Sequence, residues 1–283
     1  TTGEHYVLIY HQQGEIIYES RNFGNVYPEE IEDAVKDLEL FAVANADYVA
    51  FPSEGAEYFF QKSGRFKSFP DYASYGALYN TLNEDLLKQK REIGGLYKDQ
   101  TKLTICSIGQ MTEAKGIDQI PAFLNALSGY IEKPIRWIVV ADGILKEKVV
   151  RDMQKLQEEN TKLSFVQYDR LSHDEINYLL GISDAYCMLH RVSIFDIATL
   201  EAMYNNLLLV LSDIPGNIEY NKEENLFLVP DLSECDFGNL KDYLLNPSVN
   251  RKVFEDYFSE SKFKKRYSAL FEALCGKAKV NGS

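Results

Sequence analysis

The feature that most constrains this chain is a rhythm of apolar runs separated by charged segments of helical length. YVLIY (6–10), LTICSI (103–108), RWIVVA (136–141) and LLLVLS (207–212) are almost continuously aliphatic, β-branched or aromatic. A strand that is apolar at every position is covered on both faces, the mark of a buried parallel sheet. DAYCML (184–189), YVAF (48–51) and LSFVQY (163–168) are shorter runs of the same kind. Between them, PEEIEDAVKDLELFAVANA (28–46) opens with Pro28 and acids in its first turn, a favourable helix start. Leu145, Val149, Met153 and Leu156 share one face of 141–160, and Ser172 and Glu175 have capping-box spacing at the head of 172–183. Strand and helix in alternation predict an α/β fold, a doubly wound parallel sheet with helices on both faces, nearly unbroken from Leu103 to about Val229.

The flanks are less regular. Residues 1–62 predict two strands and one long helix, too little for a second domain of the same type. Gly64–Leu82 is aromatic and irregular and reads as a connection. Residues 250–273 place Val253, Tyr257, Phe263, Tyr267 and Phe271 at near-helical spacing, broken near Ser259–Ser261. No apolar run approaches the ~20 residues of a membrane span. The chain begins Thr1-Thr2, without a methionine or a signal segment, which reads as a fragment or a processed product. A net charge of -13 argues against non-specific nucleic-acid binding. Cys106, Cys187, Cys235 and Cys275 are scattered, with no C-x-x-C pair and no expected metal site, consistent with a reducing cytoplasmic setting.

In an open parallel sheet, ligands bind where strands end and loops lead into helices. After the strand at 103–108 comes GQMTEAKG, Gly109 to Gly116, in which two glycines bracket Lys115. This suits a phosphate, although on spacing alone a tight turn with a solvated lysine is the simpler reading. It is not a Walker loop, and no G-x-G-x-x-G follows the first strand, which argues against a dinucleotide-binding dehydrogenase. The later strands lead into Asp142-Gly143, Asp169-Arg170-Leu171, HRVSIFD (190–196) and DIPGN (213–217).

The order of these loops is recognisable. Segments GQMTEAKG, VADG, FVQYD, LHRVSIFDIATLEAM and LSDIPGNIE resemble, in series, the nucleotide-binding domain of family 4 glycosyltransferases, which are retaining GT-B enzymes. The family pattern is G-R-x-x-x-x-K-G, G-D-G, P-S-x-x-E-x-F-G-x-x-x-x-E-A-M and S-D-x-G-G-x-x-E. Upstream, YVLIYHQQGEIIYE and LELFAVANADYVAFPSEGAEYFF resemble late parts of the family's N-terminal lobe. The resemblance implies a remnant of the acceptor-side lobe and linker over 1–83, a nucleotide-sugar domain over 84–250, and helices over 251–283 that pack back towards the first lobe.

It also implies a retaining transfer of a sugar from a nucleotide-diphosphate sugar, expected to be a uridine diphosphate sugar, with no separate cofactor. The acceptor is a glycan, a lipid or a protein, and the region missing before Thr1 leaves room for peripheral membrane attachment. By the same resemblance Glu201, the second acid of E-x7-E, holds the ribose. Lys115 and Gly109 lie beside the diphosphate, with helix-start amides near Asp196–Ala198. Tyr168, with Asp169 and Arg170, falls where the base is held, or in a surface turn. Phe195 belongs to the donor loop, and His11 matches the histidine that positions donor sugar and acceptor. Three departures stand out: Gln110 replaces the arginine partner of Lys115, Ser193 replaces the first acid, and Asp196 and Asn206 replace glycines. Arg191 could restore the missing cation and Asp196 the missing acid, each if directed into the cleft; either could equally be a surface or capping group. His5 and His190 have no role on this reading. The alternative function is a catalytically degenerate binding or partner subunit.

Overall fold

The computed structural model describes residues 5–11, 16–22, 25–62 and 72–280. Its first sheet is small and parallel, ordered β1-β2-β3, from β1 (Val7–Ile9), β2 (Tyr48–Phe51) and β3 (Ser74–Ala77). Helices α1 (Ile16–Asn22), α2 (Glu29–Ala44) and α3 (Glu54–Lys62) accompany it, and α4 (Glu84–Leu87) follows. β3 lies inside the segment read from sequence as a connection. Its residues SYGA have little strand propensity, and pairing with β2, through a register shift between Val49 and Ala50, makes the strand.

The second sheet carries the main core. β4 (Leu103–Gln110), α5 (Ile120–Leu127), β5 (Ile135–Asp142), α6 (Lys146–Glu159) and β6 (Leu163–Tyr168) form its first half. α7 (His173–Ile182), β7 (Ala185–Met188), α8 (Ile197–Tyr204), β8 (Leu208–Ser212), α9 (Pro215–Ile218) and β9 (Leu226–Val229) form the second. All six strands are parallel, in the order β6-β5-β4-β7-β8-β9. This is the doubly wound order, and it reverses direction between β4 and β7. The continuous apolar runs behave as expected of covered strands: β8 is buried throughout and β5 at every residue but the last. The polar side chains inside the sheet are satisfied across strands. Ser107 on β4 donates to the Cys187 carbonyl at 2.6 Å and accepts from Trp137 Nε1 at 3.0 Å. α6 begins at Lys146, five residues into the 141–160 segment, because Gly143, at φ +147°, turns the chain tightly over Met111.

Helices α10 (Phe237–Leu245), α11 (Asn250–Val253) and α12 (Glu260–Val280) complete the chain, with one π-helical turn at Phe254–Phe258. The break expected near Ser259 is present, where Ser259 is extended. Beyond it, Leu270 on α12 packs with Ala50 and Leu78, so the last helix closes against the small sheet. The two sheets also meet through α3 and α9. A Cβ on Gly55 would lie 2.7 Å from the Gly216 nitrogen, so this approach requires glycine. Buried Glu219 accepts from the Gly55 amide at 2.9 Å and from the Tyr79 hydroxyl at 2.8 Å.

Candidate active site at the switch point

The reversal between β4 and β7 brings two loops together beyond the carboxyl ends of these strands. The Ala114 carbonyl accepts from the amides of Arg191 and Val192 at 3.0 and 3.2 Å, which zips the loops to each other. Gly116 adopts φ +63°, and a Cβ there would lie 1.6 Å from the Leu189 carbonyl oxygen. Only glycine fits, and Lys115 is thereby delivered to the mouth of β7.

Lys115 Nζ donates to Asp196 Oδ1 at 2.8 Å. Asp196 is the N-cap residue of α8, yet its side chain makes no capping hydrogen bond to the helix amides. It turns instead to Lys115 and to the Tyr186 hydroxyl, 3.4 Å from Oδ2. Burial pushes the Asp196 carboxyl upward, but Lys115, His190 and the hydrogen bonds from Lys115 and Tyr186 together hold it below its ordinary value. Glu201 lies on the same helix, buried at 7% exposure, with His173 Nδ1 3.7 Å from Oε1. Burial, then the neighbouring Asp196, raises its carboxyl to about 7.

Two cavities share Thr112. The first, about 110 Å³, is lined by Lys115, Ser193, Phe195 and Asp196, with Glu19 from α1 on the other lobe. The second, about 490 Å³, is lined by Gly109, Gln110, Asp142, Gly143, Asp169 and Arg170. The first is well below the ~300–1,000 Å³ of a whole-ligand site and the second lies within that range, so a long ligand would span both. A larger cavity, about 780 Å³, opens beside Leu103, Asp184 and Leu208, at the amino ends of the strands. Ligands of open parallel sheets bind at the carboxyl ends, so the Thr112 pair is the candidate site.

The residues singled out from sequence therefore separate into groups. Lys115, Ser193, Phe195 and Asp196 converge on one cavity, and Gly109 and Gln110 on its neighbour. Glu201 lines neither, but sits on α8 behind Asp196. The Phe195 ring is stacked between Tyr79 and Tyr220, at centroid distances of 5.4 and 4.9 Å, and holds the loop in place from beneath. Tyr168 packs against the main core, while its neighbours Asp169 and Arg170 face the second cavity. His11 follows β1, exposed, and lines neither cavity.

Arg191 is not directed to Lys115. Its guanidinium bonds Asp118 in bidentate fashion, at 2.8 and 3.0 Å, and also the Glu113 carbonyl at 2.7 Å. This ion pair with the turn after Gly116 explains why Arg191 does not replace the cation lost at Gln110. Of the two compensating residues, then, Asp196 faces the cleft and Arg191 does not. Sequence reasoning did not identify Thr112, Glu19 or His190 as site residues. Thr112 stands at an open position of the G-R-x-x-x-x-K-G pattern and His190 at the serine of P-S-x-x-E, so neither carried a signal of its own; Glu19 lies outside the matched loops, and only the fold brings it there.

A model of the family described as glycosyl transferases group 1 matches residues 88–257. No curated protein matches the chain in sequence. Among solved structures, a sucrose-phosphate synthase from Thermosynechococcus elongatus is 17% identical, with TM-score 0.66, over 96% of this chain and 68% of that one. A structure described as trehalose-6-phosphate from E. coli bound with UDP-2-fluoro glucose is 13% identical, with TM-score 0.67 and the same coverage. The N-terminal domain of a Candida albicans trehalose-6-phosphate phosphatase is 14% identical, with TM-score 0.65, over 83% of this chain and 60% of that one. The chain thus spans about three fifths to two thirds of the length of these structures, which share its fold. With the match running from the approach to β4 through the π-helical turn, across both site loops, this GT-B chain belongs to the glycosyl transferases group 1 family.

Proposed function

We propose that the chain is a cytoplasmic, retaining glycosyltransferase that moves a hexosyl group from a nucleotide-diphosphate sugar to a glycan, lipid or protein acceptor. The observation that carries this reading is the Lys115–Asp196 pair in a cavity at the β4/β7 switch point, with Glu201 behind it on α8. In this reading Lys115 exchanges Asp196 for the diphosphate and stabilises the charge that grows on the leaving group. The free amides at the start of α8 add dipolar stabilisation. An ionised Glu201 accepts the two ribose hydroxyls. Among the described residues no side chain in the cleft is paired with a base as a nucleophile, and retention is assigned to front-side attack, with the leaving phosphate taking the acceptor proton. Binding and positioning then supply the rate. The UDP-2-fluoro glucose held by the E. coli structure of like fold supports a uridine diphosphate sugar as donor. No helix among the described residues is long and apolar enough to cross a membrane.

A second reading, a catalytically degenerate binding or partner subunit, is favoured by the charge balance. Gln110 contributes no cation, Arg191 is taken by Asp118, and Asp196 cancels Lys115. Titration calorimetry against uridine, guanosine and adenosine diphosphate sugars tests the first reading. Binding is expected, weakened in Lys115→Ala and lost in Glu201→Ala; a full-length protein that binds none of them overturns it. Binding without sugar transfer to any acceptor selects the second.

A further inference from the structure

His190 is the least explained polar side chain near the site. It is the second residue after β7, at the switch point, and it is 1% exposed. Its backbone is held, because the Ser212 hydroxyl donates to its carbonyl at 2.5 Å. Its imidazole is not: neither Nδ1 nor Nε2 has a hydrogen-bond partner among the described residues. A buried polar ring with two unmatched nitrogens is costly, and such groups are rare enough to require an explanation.

The ring faces Asp196, with Nε2 4.0 Å from Oδ1. That is too long for a hydrogen bond, and a movement of about 1 Å closes it. The carboxylate oxygen nearest His190 is the one that Lys115 occupies. Other titratable groups facing the pair are the Tyr186 hydroxyl on β7, Glu201 on α8 and Tyr220 after α9, all three pushed upward by the Asp196 charge. Among these groups, Lys115 and His190 alone can carry positive charge.

If a diphosphate draws Lys115 away, Asp196 becomes a desolvated carboxylate beside Glu201 and an incoming anion. An unpaired charge in that position is strongly unfavourable. We propose that His190 is a positioning residue, the reserve counter-ion of Asp196. When Lys115 moves to the diphosphate, the imidazole takes one proton from solvent and donates Nε2–H to Asp196. Donor binding therefore carries the uptake of one proton by the histidine, counted apart from any proton that Glu201 releases. The present state agrees with this exchange. Burial, with Lys115 adding to it and Asp196 opposing, holds His190 down at about 4, so the ring is neutral while Lys115 is paired.

This inference deepens the donor-site reading and rests on it for the identity of the anion, but the charge exchange can be tested without a donor. Lys115→Met mimics departure of the lysine. With ¹⁵N-labelled histidine, the His190 ring is expected to titrate well above its wild-type value of about 4 in this variant and to be mostly charged at pH 5. The double variant Lys115→Met/Asp196→Asn is expected to return the ring to the neutral state at pH 5. A His190 that stays neutral down to pH 5 in Lys115→Met overturns the proposal, including the case in which Asp196 itself takes the proton. Should the Met variant not fold, Lys115→Gln serves the same purpose.

In the wild type, calorimetry with UDP in two buffers of different ionisation enthalpy reads the proton count directly. The expected uptake is larger in the wild type than in His190→Asn by close to one proton. UDP binding with equal proton counts in both proteins overturns the proposal while leaving the donor site intact. No UDP binding, together with the expected titration in Lys115→Met, sinks the donor-site reading alone.

Discussion

At the scale of single residues, the site is defined by carboxylates whose surroundings drive them apart. Asp196 is held ionised by Lys115, whereas Glu201 keeps its proton up to about pH 7. Between about 4.5 and 7 the folded chain binds a proton at Glu201 that the unfolded chain has released. Stability from this group is therefore present at low pH, falls as pH rises through that window, and levels off above it. Glu201→Gln is expected to remove the fall and to be more stable than the parent at pH 8 by about 2–3 kcal/mol, read from urea unfolding at pH 5 and pH 8. In the proposed donor reading, ribose binding needs the ionised form, so donor affinity through Glu201 should rise towards pH 7. The Lys115–Asp196 pair makes a different expectation. Lys115→Ala leaves a carboxylate that is 11% exposed without its cation and should cost about 3 kcal/mol, largely recovered in Lys115→Ala/Asp196→Asn.

At the scale of elements, the loops after β4 and β7 are one unit. Gly116 lies at φ +63° directly against the Leu189 carbonyl, and the Ala114 carbonyl is shared by two amides of the other loop. Gly116→Ala must therefore displace one loop from the other. A loss of about 3 kcal/mol or more is expected and, on the proposed donor reading, weaker binding of a nucleotide sugar. Gly94→Ala is the control, because nothing lies within 4 Å of its Cβ position; its Tm is expected to match the parent. The strands that support these loops were readable from composition alone, since residues covered on both faces are apolar throughout. β3 was not, because SYGA becomes a strand only through its neighbour β2. The start of α6 was misplaced for a similar reason: a glycine turn packed on Met111 overrides the apolar spacing of 141–145.

At the scale of the whole molecule, the first cavity is walled by both lobes, and Glu219 is a buried group that ties them. It accepts from Gly55 at the start of α3 and from Tyr79, whose hydroxyl also accepts from Lys222 at 3.0 Å. The Tyr79 ring in turn stacks on Phe195 within the loop after β7. Glu219→Ala leaves the Gly55 amide unmatched in a buried contact and is expected to cost about 2 kcal/mol or more. Hydrogen exchange should show α3 and residues 193–196 losing protection together, while β5 and β8 keep theirs; protection lost uniformly through the chain would argue against this tie.

The class of fold, the order of the site loops and the positions where the family pattern changes were all legible in the residue order. Those depend on local period and on residue types that recur at fixed places. It could not decide what Asp196 and Arg191 do, because each is settled by a partner far along the chain. Asp196 meets Lys115, 81 positions away, and Arg191 meets Asp118, 73 positions away. Nor could it show that His190 is buried beside that carboxylate with no hydrogen bond to its ring among the described residues. Long-range pairing of charges in a low-dielectric cleft is a property of how the sheet reverses between β4 and β7, and only the tertiary structure supplies it.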